Sequence, residues 1–170
     1  MNEYTDFDIL QTGELAVLRK GLFKPVFEFT DGQFIYGKLI TNNGKKPVLE
    51  TAKESWILRR EGRLFKKTLL ISNAAGSSIG LVNDGDRFLR LNNGFEATLA
   101  LIGGGRTVVS GSWKNAEFGD LISFKQSFTS YKKPYKITFD KGFLKHTNEI
   151  PLLTLLGTYI AFLKQTRSFR

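Results

Sequence analysis

The sequence predicts an all-β protein with one helix: a barrel of about 12 antiparallel strands closed around a hydrophobic C-terminal α-helix. Three observations lead there. Short apolar segments with turn residues between them recur along most of the chain from Glu14 onward; turn signals every 8–12 or so residues mark a β-sandwich or barrel. The only strongly apolar run, Ile150 to Leu163, carries no charge and, read as a helix, has no polar face. A helix that is apolar all round must be covered all round. A barrel of about a dozen strands leaves a lumen wider than its own side chains fill, and a helix ~10 Å across fits such a lumen.

The helix is predicted over about 149–163. Asn148 is a candidate N-cap, since its side chain can accept from a first-turn N–H. Glu149 places a carboxylate at the positive end of the helix dipole. Pro151 falls in the first turn, where a missing N–H costs little. Lys164 and Arg167 fall near the other end, where cations are favoured. Thr154, Gly157 and Thr158 are weak helix formers, and their small size allows close backbone approach and tight packing on one side. At 1.5 Å per residue the run spans roughly 21 Å, short of a hydrocarbon core of ~30 Å. It therefore reads as a buried core helix. A membrane-inserted or interfacial tail and a buried strand pair are the competing readings, and the flanking Lys164, Arg167 and Arg170 suit the core helix and the tail alike.

Along the chain, Glu14–Leu18 opens the first strand and Gly21 punctuates it. Phe23–Thr30 follows, with Phe23, Phe27 and Phe29 on one face. Asp31-Gly32 is a hairpin turn signal, Phe34–Ile40 returns, and Asn42–Gly44 turns into Pro47–Thr51. Ser55–Arg59, Arg63–Lys66 and Thr68–Ser72 come next, with a turn at Glu61-Gly62. Asn73–Gly76, Asn83–Gly85 and Asn92–Gly94 then separate Ser78–Val82, Arg87–Leu91 and Phe95–Leu101. After Gly103–Gly105, Arg106–Trp113, Leu121–Phe124, Tyr135–Phe139 and Phe143–His146 complete the sheet, with a hairpin-like turn at Asp140–Gly142. No linker or low-complexity tract interrupts residues 1–170, which read as one domain.

Composition narrows the function classes. Cysteine is absent, which excludes disulfides, thiolate metal sites, a cysteine nucleophile and S-acylation. The acidic start, Met1 to Asp8, lacks the apolar core of a signal peptide, so the expected address is the cytoplasm, peripheral to membrane if membrane is the partner. The net charge of +9 and pI near 9.8 imply attraction to polyanions: phospholipid headgroups, nucleic acid or acidic proteins. A lysine-rich solvated surface is the plainer explanation.

An all-β chain of this length ending in one hydrophobic helix resembles the tubby C-terminal-domain-like superfamily, which includes the tubby domain, the phospholipid scramblases and the LURP-one-related proteins. The resemblance is carried by the extended pairs around Asp31-Gly32, Asn73–Gly76 and Asn83–Gly85, the aromatic and basic segment Trp56–Lys67, and the helix from Glu149 to Leu163. It implies a 12-stranded barrel around a central helix, and membrane association of the kind seen in phosphoinositide binding by tubby domains. No family site residue is carried over. The absence of cysteine and of an acidic calcium loop departs from the scramblases, so scrambling activity is not implied.

The densest basic stretch is Arg59, Arg60, Arg63, Lys66 and Lys67, opposed only by Glu61; Lys132 and Lys133, with Lys136 nearby, form a smaller group. Each basic residue near an anionic surface contributes about 1 kcal/mol, so several must share a face to matter. Lysines on turns and edge strands are also ordinary solubility devices. Gly103–Arg106 lacks the Gly-Lys-Ser/Thr of a phosphate loop, and Asp84–Asp86 lacks the further acidic positions of an EF-hand; both read as turns. His146 is the only histidine. No nucleophile elbow accompanies it, and one histidine without cysteine does not make a transition-metal site. Trp56 and Trp113 read as core or barrel-wall packing. The expectation is a non-enzymatic binding domain with no cofactor and no metal. Its expected partner is the anionic phospholipid headgroup, phosphoinositide-like, held by Arg59, Arg60, Arg63, Lys66, Lys67, Lys132 and Lys133. The alternative is a protein-interaction or structural module without lipid binding, and nucleic acid is the third candidate partner.

Overall fold

Alternation along each strand sends one set of side chains inward and the next outward, and it governs the whole molecule. The strands are β1 (Glu14–Lys20), β2 (Val26–Thr30), β3 (Ile35–Ile40), β4 (Val48–Thr51), β5 (Ser55–Glu61) and β6 (Thr68–Asn73), followed by β7 (Ser78–Asn83), β8 (Phe88–Leu91), β9 (Glu96–Gly104), β10 (Thr107–Asn115), β11 (Gly119–Gln126) and β12 (Tyr135–Phe139). Leu15 and Val17 of β1, Trp56 and Leu58 of β5, and Tyr135, Ile137 and Phe139 of β12 are buried while their neighbours are not. That is the period of two expected of a sheet with one covered face. The computed structural model describes residues 3–41, 46–62, 68–83, 85, 87–104, 107–127, 132–140 and 148–167.

Each strand pairs antiparallel with its neighbours in sequence, and β12 pairs with β1 through Glu14↔Thr138 to Val17↔Tyr135, which closes a 12-stranded barrel. Closure removes the unpaired edges that an open sheet would present. The expected segment Arg63–Lys66 and the expected last strand Phe143–His146 lie outside the described residues; β5 pairs directly with β6 through Glu61↔Thr68, and the sheet closes without the latter segment. The segment before β1 also contributes. A 3-10 turn at Phe7–Ile9 seats the Phe7 ring edge-on against Tyr36 at 5.6 Å, and Thr5 N–H donates to the Ile35 carbonyl at 2.8 Å.

The helix α1 (Ile150–Arg167) runs through the lumen. It touches β3 and β4 on one side and β10 and β11 on the other, strands that face each other across the ring. Every residue from Leu152 to Ala161 is buried, Gly157 included, where Trp113 and Phe124 close over the backbone. At Gly157 the helix backbone comes so close to the wall that an added Cβ would stand 2.7 Å from Trp113 Nε1. The Trp113 indole N–H crosses that gap and donates to the Leu153 carbonyl at 2.8 Å. The Thr154 and Thr158 hydroxyls donate back to the carbonyls of Ile150 and Thr154 at 2.7 and 3.0 Å, so neither is buried unsatisfied.

Both helix ends differ from the sequence reading. The first intrahelical bond, Leu153 N–H to Glu149 O at 2.9 Å, makes Glu149 the N-cap in place of Asn148. The Glu149 carboxylate instead accepts from the Asn93 side chain at 2.9 Å, tying the helix start to the β8–β9 turn. The helix continues past Leu163 to Arg167, because Lys164, Gln165 and Arg167 are good helix formers. Lys164 reaches the Gly85 carbonyl in the β7–β8 turn at 3.0 Å. Among the described residues, no helix is long and apolar enough to cross a membrane.

Candidate anion-binding end of the barrel

Strictly consecutive pairing makes successive turns alternate between the two ends of the barrel. The β1–β2, β3–β4, β5–β6, β7–β8, β9–β10 and β11–β12 connections share one end, where α1 finishes. The other turns share the opposite end, where α1 begins. Charge follows this division. At the first end stand Lys24, Lys46, Arg87, Lys132 and Lys133, all exposed, with Lys164 behind them. At the second stand Asp6, Asp8, Asp31, Glu54, Glu117 and Asp140, with Lys53 and Lys114 as cations. The basic-end connections also contain Arg63, Lys66, Lys67, Arg106, Asp84 and Asp86 in sequence, all outside the described residues.

The described candidate residues thus reach the same end but not the same spot. Arg59 and Arg60 are on β5, whereas Lys132 and Lys133 precede β12; in the ring β5 and β12 are nearly opposite. Twelve strands ~4.8 Å apart and tilted by 35–45° make a ring roughly 25 Å across. One headgroup cannot touch both groups, whereas a flat anionic surface can. Arg59 and Arg60 are themselves divided by the strand period. Arg59 points outward and is ion-paired with Glu61. Arg60 continues the inward face of Trp56 and Leu58 and is half-buried at the mouth of the lumen.

Other cations at this end are engaged in the fold. Lys20 holds the buried Glu28 at 2.6 Å, and Lys38 approaches the same carboxylate at 3.7 Å. The Arg19 guanidinium lies over the rings of Phe27 and Phe162, 5.9 and 5.8 Å from their centroids, and those rings meet edge-on at 5.0 Å. Arg19 thereby clamps the last turns of α1 to the wall. Its backbone N–H donates to the Lys132 carbonyl at 2.8 Å, which fixes the Lys132–Lys133 turn beside the β1–β2 hairpin. Beneath them, burial pushes the Tyr135 hydroxyl far above the ordinary tyrosine range, with the Arg19 charge pulling the other way.

The hairpin between β1 and β2 departs from the sequence reading. Phe23 does not share the buried face of Phe27 and Phe29. It sits at the hairpin tip, 84% exposed, next to Leu22 at 71%. Strand β2 starts only at Val26, because Pro25 has no N–H for the ladder; its carbonyl instead accepts from Thr41 N–H at 3.3 Å. Gly21, at φ +79°, turns the chain outward before the tip. A Leu–Phe pair directly after Arg19-Lys20-Gly21 and before a proline is the sequence signal for this turn.

The clefts of the acidic end suit an anion poorly. One, of about 690 Å³, lies between Tyr4, Glu50, Lys53, Glu54, Trp56 and Ile79. A second is lined by Asp6, Asp8, Glu54 and the helix start. Lys53 already holds Asp6 at 2.7 Å and also pairs with Asp8. Bonding to both carboxylates raises its pKa, so its charge is spent within the fold. Among the described residues no cluster of His, Asp and Glu could hold a metal ion, and His146 lies outside them. Comparison with protein-family models, curated proteins and solved structures finds no match.

Proposed function

We propose that this protein is a non-enzymatic, tubby-like β-barrel that associates peripherally with anionic phospholipid surfaces through its basic end. The observation that carries the reading is the segregation of exposed cations. Lys24, Lys46, Arg87, Lys132 and Lys133 share the end where α1 finishes, with Glu61 as a described carboxylate among them, whereas Asp6, Asp8, Asp31, Glu54, Glu117 and Asp140 lie at the other. Spread over roughly 25 Å, these cations complement an extended anionic surface better than a single headgroup. At about 1 kcal/mol each, a handful acting together gives useful but salt-sensitive affinity.

The test is co-sedimentation with phosphatidylcholine vesicles, with and without phosphatidylserine, at low and high salt. Binding should require the anionic lipid and fall with salt. Lys132→Glu/Lys133→Glu should weaken it by about 30-fold or more, since each lost cation removes about 1 kcal/mol and each new carboxylate is repelled. Lys114→Glu, at the opposite end, should change it little. Binding to neutral vesicles as strong as to anionic ones would sink the reading, and so would equal effects of the two sets of variants.

A further inference from the structure

We propose that Leu22 and Phe23, at the tip of the β1–β2 hairpin, form an apolar anchor that enters the headgroup–acyl boundary of an anionic bilayer and stands the barrel end-on upon it. The proposal rests on the membrane reading above and adds to it a second attractive element and an orientation. Four observations converge. The pair holds the most exposed large apolar side chains described, at 71% and 84%; Ile9, Phe34, Ile102 and Phe118 are less exposed, and none is next to another in sequence. Isolated exposed apolar residues are ordinary, whereas two adjacent ones this exposed at a hairpin tip form an apolar patch that water disfavours.

The tip also lies at the cationic end, and its surroundings fix what that partner is. Lys24 follows it directly in sequence, and the Arg19–Lys132 backbone bond of 2.8 Å seats Lys132 and Lys133 beside the hairpin. A protein partner's apolar pocket would not require flanking cations. A bilayer with anionic headgroups over an apolar interior matches both features, an exposed apolar pair and the lysines beside it. An aromatic ring at that depth is also well suited to the interface. The tip is anchored from below, since Pro25 is buried and bonded to Thr41 and Lys20 is held by Glu28 at 2.6 Å. Insertion therefore transmits to the barrel as a whole.

The experiment uses the full chain carrying Phe23→Trp, with Phe34→Trp as the control for the opposite end. Trp56 and Trp113 are buried and give a constant background. On adding phosphatidylcholine–phosphatidylserine vesicles, Phe23→Trp emission should shift to the blue and be quenched by lipids brominated high on the acyl chain, while Phe34→Trp emission stays unchanged. Leu22→Ser/Phe23→Ser should lower vesicle affinity by on the order of tenfold or more, the scale of removing two apolar side chains from a non-aqueous site, and leave the salt dependence intact. If Phe23→Trp sediments with anionic vesicles without a shift or quenching, the anchor is wrong and the electrostatic reading survives. If it binds no vesicle, both are wrong. A blue shift that grows with protein concentration in the absence of lipid would assign the tip to contact between copies of the chain and overturn the anchor.

Discussion

Replacing Gly157 by alanine sets two physical effects against each other, and the structure decides between them. In an exposed helix Gly→Ala is stabilising by about 1 kcal/mol, because glycine gives up more backbone freedom on folding. Here a Cβ at position 157 would stand 2.7 Å from Trp113 Nε1 and 3.0 Å from the Phe124 ring. Relieving that overlap in a packed core costs about 1–3 kcal/mol. The indole cannot retreat without loosening its 2.8 Å bond to the Leu153 carbonyl, and an unsatisfied buried donor costs a further ~1–3 kcal/mol. The net effect is a destabilisation of about 3 kcal/mol, which at 2–4 °C per kcal/mol for a domain of this size lowers Tm by roughly 6–12 °C. Urea unfolding followed by far-UV circular dichroism measures it. The attribution is tested in a Trp113→Phe background. There the smaller ring has no N–H to orphan, and Leu153 O keeps its helical partner. Gly157→Ala should then cost much less, with a coupling of about 1–3 kcal/mol between the sites. If Gly157→Ala raises Tm in the wild-type background, or costs the same in both, the packing account of this helix–wall contact is refuted.

Asp31 and Tyr36 give stability two pH limbs. Burial alone would raise the Asp31 carboxyl, but N–H groups of Phe34 and Gln33 at 2.9 Å and the Tyr36 hydroxyl at 2.8 Å hold it below the usual range. Its contribution is therefore present above about pH 4 and lost as pH falls through the depressed value; Asp31→Asn should flatten that acid limb in unfolding measured against pH. Burial first, and then the bond to Asp31, push Tyr36 up to about 12. Stability from this group is full below about pH 10 and declines as pH rises through 12, which tyrosinate absorbance during alkaline titration would follow. Charge reversals spread round the basic end, such as Lys24→Glu, Lys46→Glu and Lys133→Glu, should each weaken binding to anionic vesicles by about fivefold and combine additively. Complete loss from any single one would point to one tight pocket instead of a surface.

Much of the fold was legible because its signals are local. Turn residues such as Asp31-Gly32 and Asn92–Gly94 sit where the strands end, and the uncharged run Ile150–Leu163 of the helix has no face that tolerates water. The small residues Thr154, Gly157 and Thr158 announced a close approach, although not which side chain would occupy it. The helix ends were less legible. Asn148 and Glu149 are both acceptable caps, and the choice was made by Asn93, distant in sequence. Parity misplaces Phe23 because it assumes an unbroken strand, and the ladder begins only after Pro25. The candidate surface was half-legible. Residues 59–67 read as one dense basic patch, yet strand parity points Arg59 and Arg60 in opposite directions. The broader charge pattern spans the whole chain. Successive connections alternate between basic ones, such as those with Lys24, Lys46 and Lys132-Lys133, and acidic or neutral ones, such as those with Asp31, Glu54 and Glu117. That alternation acquires meaning only once consecutive pairing assigns alternate turns to opposite ends.

The segregation of charge is also an argument about what the end is for. Folding does not ask for it. The barrel is closed by backbone pairing and filled by α1, and both would form with turn charges of mixed sign. Collecting like charges raises their mutual repulsion, modestly at surface exposure and ionic strength. Mixed turns would serve solubility equally well, and the walls already carry mixed pairs such as Lys136–Glu14 at 2.8 Å and Arg90–Glu96 at 2.7 Å. A sequence that places Lys24, Lys46, Lys132 and Lys133 in alternate connections accepts a small destabilisation for an excess of positive charge at one end. The resulting field would draw that end first to an anionic surface and so orient the proposed encounter before any contact is made. The exposed Leu22–Phe23 tip lies at that same end, where, on the proposed membrane reading, an apolar pair would add an attraction that salt does not screen.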